Sequence, residues 1–507
     1  MNFDRDLCSI QEVRNLVARA SEAQKKFAGY NQAQVDGLVE AIALECAAHA
    51  EPLAKMAVEE TGFGVWQDKT LKNLLGSKMT WEYIRNMKTV GALNQDDVSG
   101  ITEIGVGVGV VAALIPSTNP TSTVMYKSLI SLKAGNAIIF SPHPGARRCI
   151  EATVKLIADT AQKNGAPDGL IGCVETLSIE ATNELLRHRG IGMILATGGE
   201  AMVRAAYSSG NPALGVGPGN GPAYIEKTAD IPSAVRHIIE SKTFDNGTIC
   251  ASEQSVITEC CIEQKVSDEF TRQGAYFLNE QESIRLAAVL LRSNGSMNPK
   301  VVGKSAAVIA RMAGIDLSPE IRVLLSRQTE VSMENPYSRE KLCPVLGFYV
   351  EENWREACAR SIEILMNEGA GHTMTIHSEN KSIINEFAMQ KPVSRLLVNT
   401  AASLGGVGAT TNLAPALTLG CGSIGGSATS DNVTPLHLIN IRRVAWNARE
   451  LESLRDTNPT PAHHGIAMSS AGDARPAETT ARDVQFTRED IEAITRAVLS
   501  RFGSSGK

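Results

Sequence analysis

Thr243-Phe244-Asp245-Asn246-Gly247-Thr248-Ile249-Cys250-Ala251-Ser252-Glu253-Gln254, running on into Ser255-Val256-Ile257-Thr258, is the stretch on which the reading of this chain turns. Its Asn-Gly pair marks a turn. The β-branched run that follows predicts a strand. Between the two sits a single thiol, held by a loop and fixed by the elements on either side. A cysteine alone is ordinarily a small buried hydrophobe, so the segments around Cys250 must decide whether it does chemistry.

Moving outward, the chain alternates. Residues 104–116, Ile-Gly-Val-Gly-Val-Gly-Val-Val-Ala-Ala-Leu-Ile-Pro, read as one buried strand. Helices are predicted over 121–132, 145–163 and 179–187, with strands at 137–140, 171–174 and 193–195. Thr197-Gly198-Gly199 opens a further helix. Gly215 to Pro222 is too glycine-rich for a regular element and leads to the strand 223–225. A second alternation begins with a helix at 231–241 and runs to about residue 435. Strands alternating with helices imply parallel sheets covered on both faces, an α/β fold. Gly107-x-Gly109-x-x-Ala112 formally matches a dinucleotide fingerprint. That motif needs a strand before it and a helix opening on it, whereas here a strand follows, so the match is set aside. The first eighty residues read as covering helices, with a capping-box pattern at Ser9-Ile10-Gln11-Glu12, and residues 87–103 as a protruding hairpin.

A chain of 507 residues suffices for two or three domains. A net charge of −6 with no compensating basic block excludes a mainly electrostatic nucleic-acid binder. The first residues lack a secretory layout, and the longest apolar run is too short for the ~20 residues of a bilayer span. The ten cysteines are scattered and show no zinc spacing, so a reducing cytoplasm is the expected setting, with no metal and no membrane partner.

Residues 455–485 are rich in Pro, Ala, Ser and Thr and read as a flexible linker. An amphipathic helix is predicted beyond it, over 486–503. Thr487 is its N-cap, and Phe486, Ile491, Ile494, Val498 and Phe502 form one apolar stripe. A tethered helix of this kind suits docking on another protein.

The chain from about residue 10 to 450 resembles the aldehyde dehydrogenase superfamily, and within it the CoA-acylating branch. The resemblance is carried by Thr243 to Gln254, Ile115-Pro116-Ser117-Thr118-Asn119-Pro120-Thr121-Ser122, Glu340-Lys341-Leu342-Cys343-Pro344, Gly371-His372-Thr373 and the glycine-rich Leu417 to Gly426. It implies an α/β architecture in three parts. These are a Rossmann-type NAD-binding domain (1–86 and 105–226), an α/β catalytic thiol domain (227–435) and a small β oligomerisation arm (87–104 and 436–450). It further implies Cys250 as nucleophile, with His372 assisting and Thr118 or Asn119 near the oxyanion. Pro116, Ser117, Ser141, Pro142, His143, Thr197, Gly198, Gly199, Gly217 and Glu340 are implied around the cofactor. NAD and coenzyme A are the expected cofactor and co-substrate, a short-chain aldehyde the substrate, and a homodimer or homotetramer the assembly. The tail from Phe486 to Phe502 resembles encapsulation peptides, which implies a place inside a bacterial microcompartment and shell or cargo partners.

One departure is informative. Hydrolytic relatives place a glutamate where this chain has Val216, and an isopropyl group cannot take a proton from water. A thiol co-substrate is already partly ionised at neutral pH, so acyl transfer to CoA follows chemically. Two rivals remain at this stage: a hydrolytic NAD(P)-dependent enzyme using another base such as Glu253, and an inactive nucleotide-binding scaffold.

Overall fold

The computed structural model describes residues 4–451, and in it the apolar run around residue 108 serves two different sheets. β1 (Gly91–Asp96) and β2 (Ile101–Gly107) form an antiparallel hairpin. β3 begins only at Val110 (Val110–Leu114) and lies at the centre of another sheet. The expectation of a single strand over 104–116 is therefore corrected, and the glycines are the cause. Gly109 takes φ +116°, a value side chains rarely adopt, and its N–H donates to Asn136 Oδ1 at 2.9 Å. A Cβ on Gly107 would lie 2.7 Å from Gly135 O. The chain crosses between sheets where no side chain fits.

The sheet centred on β3 is completed by β4 (Ala137–Ser141), β5 (Ile171–Cys173), β6 (Ile191–Thr197) and β7 (Ala213–Val216). Its order is β5-β4-β3-β6-β7, parallel throughout. The chain winds outward from β3 to one side and then returns to start the other, so the direction switches between β3 and β6. In a doubly wound sheet a crevice opens at the carboxyl ends of the strands flanking such a switch. The Gly107–Ala112 segment lies at the other, amino end of β3 with no helix opening on it.

A second parallel sheet comprises β8 (Pro222–Ile225), β9 (Ser255–Glu259), β10 (Ala275–Phe277), β11 (Val323–Arg327), β12 (Val345–Glu351), β13 (Gly371–His377) and β14 (Val393–Val398). Its order is β10-β11-β12-β9-β8-β13-β14. The chain thus passes from one sheet to the other within residues 217–221. β15 (Ile439–Ala445) returns to pair with β2 and completes a three-stranded antiparallel arm.

The helix Pro120–Lys133 is buried along its whole length, packed against β4 and the N-terminal helices. Two lysines on it are satisfied internally, as buried cations must be. Lys127 donates to the carbonyls of Leu114 and Leu195, both at 2.8 Å. Lys133 donates to Arg85 O at 3.0 Å and to Asp36. The Ser9–Glu12 capping box is not used: the first helix already starts at Arg5 (Arg5–Phe27), and Ser9 Oγ donates instead to Asp6 O at 2.8 Å. No helix among the described residues is long and apolar enough to cross a membrane. The linker over 455–485 and the helix over 486–503 lie outside the described residues.

A π-helical turn, Leu75–Met79, lies against the buried helix, and a Cβ on Gly76 would sit 2.5 Å from Ser122 O. Gly76→Val is expected to lower the thermal midpoint and to cost about 1–3 kcal/mol of stability. A calorimetric scan of the variant against the parent checks this, and an unchanged midpoint would contradict the close approach.

Candidate active site

The helix Ile231–Thr243 runs into a turn, Phe244–Gly247, whose Asp245, Asn246 and Gly247 take φ values of 50°, 51° and 79°. Two successive non-glycine residues in this region cost roughly 1–3 kcal/mol each. Asp245 supplies the compensation. Its Oδ1 accepts from Val65 N at 2.7 Å, and its Oδ2 accepts from Lys69 Nζ and Thr248 Oγ1 at 2.8 and 2.6 Å and from Lys72 Nζ. Its own N–H donates to Asp68 Oδ2 at 2.7 Å. Burial alone would raise the Asp245 carboxyl, but Lys72 and Lys69 outweigh it and hold the group below the usual carboxylate range. Burial brings Lys72 down to about 8 against the pull of Asp245, so the pair stays charged at neutral pH.

The same two lysines hold a second loop. Lys69 Nζ donates to Thr118 O at 2.8 Å and Lys72 Nζ to Asn119 Oδ1 at 2.6 Å. Asn119 Nδ2 donates to Thr248 O at 3.1 Å and to Thr118 Oγ1 at 3.3 Å. Both amide hydrogens of Asn119 are therefore spent within the scaffold. The Thr118 hydroxyl, used as an acceptor, keeps its proton to give.

Two residues beyond Thr248, Cys250 is part-exposed while Ile249 and Ala251 on either side are buried. The thiol faces a cavity of about 370 Å³ at the carboxyl ends of β3 and β6, where the sheet order switches. Pro116, Ser117, Thr118 and Asn119 line it from β3, and Thr197, Gly198 and Gly199 from β6. His143, Val216, Gly217 and Glu340 complete the wall with Leu417 and Leu419. Gly219 is a steric requirement, since a Cβ there would lie 1.8 Å from Cys250 O. Eleven of the residues singled out from the sequence thus share one cavity: Cys250, Thr118, Asn119, Pro116, Ser117, His143, Thr197, Gly198, Gly199, Gly217 and Glu340.

Ser141, Pro142 and His372 are not among its lining residues. Ser141 closes β4, and its carbonyl accepts from Ile115 N at 3.2 Å. Pro142 is buried beside it. His372 is fully buried on β13, with Nδ1 against Thr373 Oγ1 at 3.0 Å and Nε2 without a partner. Burial, with Arg395 adding to it, pushes His372 down to about 3, so it is neutral at physiological pH.

Burial pushes the Cys250 thiol up to about 12, with Glu340 and Cys421 reinforcing the shift and Arg395 opposing it. Glu340 Oε1 accepts from Gly219 N at 2.9 Å, and burial raises its carboxyl to about 8, leaving it protonated at neutral pH. Glu253 is fully buried away from the cavity; its Oε1 accepts from Ala402 N at 2.9 Å. Beyond Ile249 and Val407, which belong to both, lies a second and mostly apolar cavity of about 640 Å³ lined by Leu71, Leu75, Met79, Phe244 and Leu404.

The first cavity fits a dinucleotide. Gly199 and Gly217 have open space around them, so backbone can approach a ligand closely. The helix Glu200–Tyr207 starts at Gly199 with no side-chain cap, leaving first-turn N–H groups for a phosphate. Sequence reasoning missed Lys69, Lys72 and Asp245. No local signal marked them: only the fold shows that the helix Trp66–Leu74 buries Lys69, Lys72 and Asn73 where an amphipathic helix buries apolar residues.

Residues 5–284 match the aldehyde dehydrogenase family, and the chain belongs to that family. A solved probable aldehyde dehydrogenase from Listeria monocytogenes EGD-e is 58% identical with a TM-score of 0.89, covering 89% of this chain and 100% of that one. An acetylating aldehyde dehydrogenase from Geobacillus thermoglucosidasius is 49% identical with a TM-score of 0.87, covering 89% and 99%. A propionaldehyde dehydrogenase from the Clostridium phytofermentans fucose utilisation bacterial microcompartment is more distant: 26% identical, TM-score 0.78, covering 87% and 98%. The bifunctional aldehyde-alcohol dehydrogenase AdhE of Escherichia coli (strain K12) is 42% identical over 448 residues, 87% of this chain and 50% of that protein. The chain spans about half the length of the bifunctional relatives it matches.

With the Cys250 thiol held near 12, its alkylation without added cofactor should be slow at neutral pH. The rate should rise about tenfold per pH unit from about 7 to 10, following the thiolate fraction. Iodoacetamide labelling followed by peptide mass spectrometry measures this; a plateau already at neutral pH would show a thiolate stabilised by a neighbour.

Proposed function

We propose that this chain is a CoA-acylating, NAD-dependent aldehyde dehydrogenase. It takes a short-chain aldehyde, propionaldehyde or acetaldehyde, to the acyl-CoA with formation of NADH. The observation that carries the reading is the surround of Cys250. A nucleophilic thiol faces the switch-point cavity, and Val216 occupies the wall where a hydrolytic enzyme needs a base. Glu253 is engaged elsewhere, and protonated Glu340 cannot take a proton from water at neutral pH.

Gly198, Gly199 and the N-terminus of the helix Glu200–Tyr207 would hold the dinucleotide, with Ser117, His143, Gly217 and Glu340 lining the same cavity. When bound, it would supply the hydride acceptor and a positive charge. Cys250, part-exposed, loses its proton to solvent, and Sγ attacks the aldehyde carbon to give a thiohemiacetal. The oxygen that becomes negative accepts hydrogen bonds from Cys250 N–H and the Thr118 hydroxyl. Loss of hydride leaves a thioester on Cys250. The CoA thiolate then attacks that carbonyl, the C–Sγ bond breaks, and Cys250 leaves as thiolate. His372, neutral and outside the cavity lining, is assigned no proton in these steps.

The five-stranded sheet with its helices acts as the NAD-binding domain and the seven-stranded sheet as the thiol domain. The β1-β2-β15 arm is the oligomerisation surface of a homodimer or homotetramer; its exposed Val98, Ile441, Val444 and Trp446 support this. The tail from Phe486 to Phe502 acts as an encapsulation peptide that docks on shell or cargo proteins of a cytoplasmic bacterial microcompartment. The origin of the Clostridium neighbour supports that part of the reading.

NADH production from propionaldehyde, followed with and without CoA, tests the activity. Steady turnover is expected only with CoA, and without it at most one NADH per site. Full turnover in the absence of CoA overturns acyl transfer. Cys250→Ala is expected to lower kcat by on the order of 10³-fold or more. Removing residues 485–507 is expected to leave kcat/KM unchanged while abolishing co-sedimentation with purified shells. Loss of activity in the truncated soluble enzyme would instead mean that the tail packs on its own body.

A further inference from the structure

The helix Trp354–Asn367 carries Cys358, and Lys391 directly follows the helix Lys381–Gln390, two residues ahead of β14. Both are buried, at 4% and 7% exposure. Lys391 Nζ donates to Cys358 O at 3.1 Å and to Cys358 Sγ itself. Cys358 Sγ in turn donates to Gln390 Oε1 at 3.5 Å, and Nζ lies 4.2 Å from the centre of the Phe387 ring. A buried lysine is ordinarily paired with a carboxylate. Among the described residues Lys391 forms no ion pair, and a thiol stands where the carboxylate would be. Neither residue lines the Cys250 cavity.

We propose that Cys358 and Lys391 form an oxidation-sensitive pair that joins covalently through one oxygen atom, Sγ–O–Nζ, when the protein meets a peroxide. Direct contact removes the search that limits most cross-links. Burial lowers the pKa of Lys391 and so favours the neutral amine, whose lone pair can form the bond. The first peroxide oxidises Cys358 to the sulfenic acid and releases one water. A second peroxide, with the Lys391 amine, closes the S–O–N link and releases two more. Overall, thiol, amine and two hydrogen peroxides give the bridge and three waters, sulfur and nitrogen each losing two electrons. Thiol reductants reverse it with four electrons and four protons, returning thiol, amine and one water. The bridge ties the helix Trp354–Asn367 to the start of β14. From that strand Arg395 donates to Thr373 Oγ1 and to the carbonyls of His372 and Gly420. The effect is to stiffen the strand that braces the glycine-rich loop.

The full-length protein treated with hydrogen peroxide, digested with trypsin and analysed by mass spectrometry tests this independently of its enzymatic activity. Residues 356–360 should appear joined to residues 382–395. Their summed mass should gain one oxygen and lose two hydrogens, about 14 Da, and dithiothreitol should abolish the joined species. No joined peptide at doses that already oxidise the exposed Cys260 and Cys261 overturns the proposal. A joined peptide lighter by two hydrogens, without the oxygen, replaces the bridge by a direct S–N bond and overturns it equally. Lys391→Arg keeps the charge and is expected to lose the joined peptide; its persistence there would assign the link to another residue.

Discussion

One buried carboxylate ties the loop that bears Cys250 to the rest of the molecule. Asp245 sits in a left-handed turn that its backbone disfavours, and it is held there by Lys69, Lys72, Thr248 and the N–H of Val65. Removing one partner from such a buried pair typically costs about 3–5 kcal/mol, because the other charge is left uncompensated. The energy matters less than the geometry it enforces. The same lysines reach Thr118 and Asn119, so the loop bearing the thiol and the turn that faces it share one set of cations. The spacing between the loop that carries the Cys250 thiol and the Thr118–Asn119 turn is set by two side chains on one short helix, Trp66–Leu74.

Around that clamp the two parallel sheets divide the work. The first opens a crevice between β3 and β6 because its winding direction changes there. The second begins at β8, and the loop over 217–221 that links them passes so close to Cys250 that only glycine fits at position 219. The glycine-rich run is thus the hinge line between sheets and the floor of the cavity at once. The acidity of the site follows from the same burial. A thiol pushed up to about 12 and a carboxyl pushed up to about 8 are both held neutral by desolvation. A cationic ligand brought into the cavity opposes that effect, favouring the thiolate over the thiol.

Much of this was legible in the order of residues. The alternation of β-branched runs with helical periodicity announced an α/β fold, because strand and helix have different periods. Most of the candidate site was readable too, but through the motifs that carry the family resemblance: the segments around Ser117, Cys250 and Glu340 each bring a residue to the cavity. The strand over 104–116 was misjudged for a physical reason. Composition reports burial, and both halves of the run pair in sheets; only the close approach of Gly107 to Gly135 shows where the chain must turn.

What the sequence by itself determined is the chemistry available: a cysteine, an isopropyl group where a base is needed, and small residues for a dinucleotide. Tertiary structure alone decided which of these meet. It left His372, Ser141 and Pro142 out of the cavity lining and joined Lys69 and Lys72 to a carboxylate more than 170 positions away. It also set the protonation of Cys250, Glu340 and His372. Contacts between distant segments and the loss of water around a charge depend on how the chain packs, and neither leaves a local mark in the order of its residues.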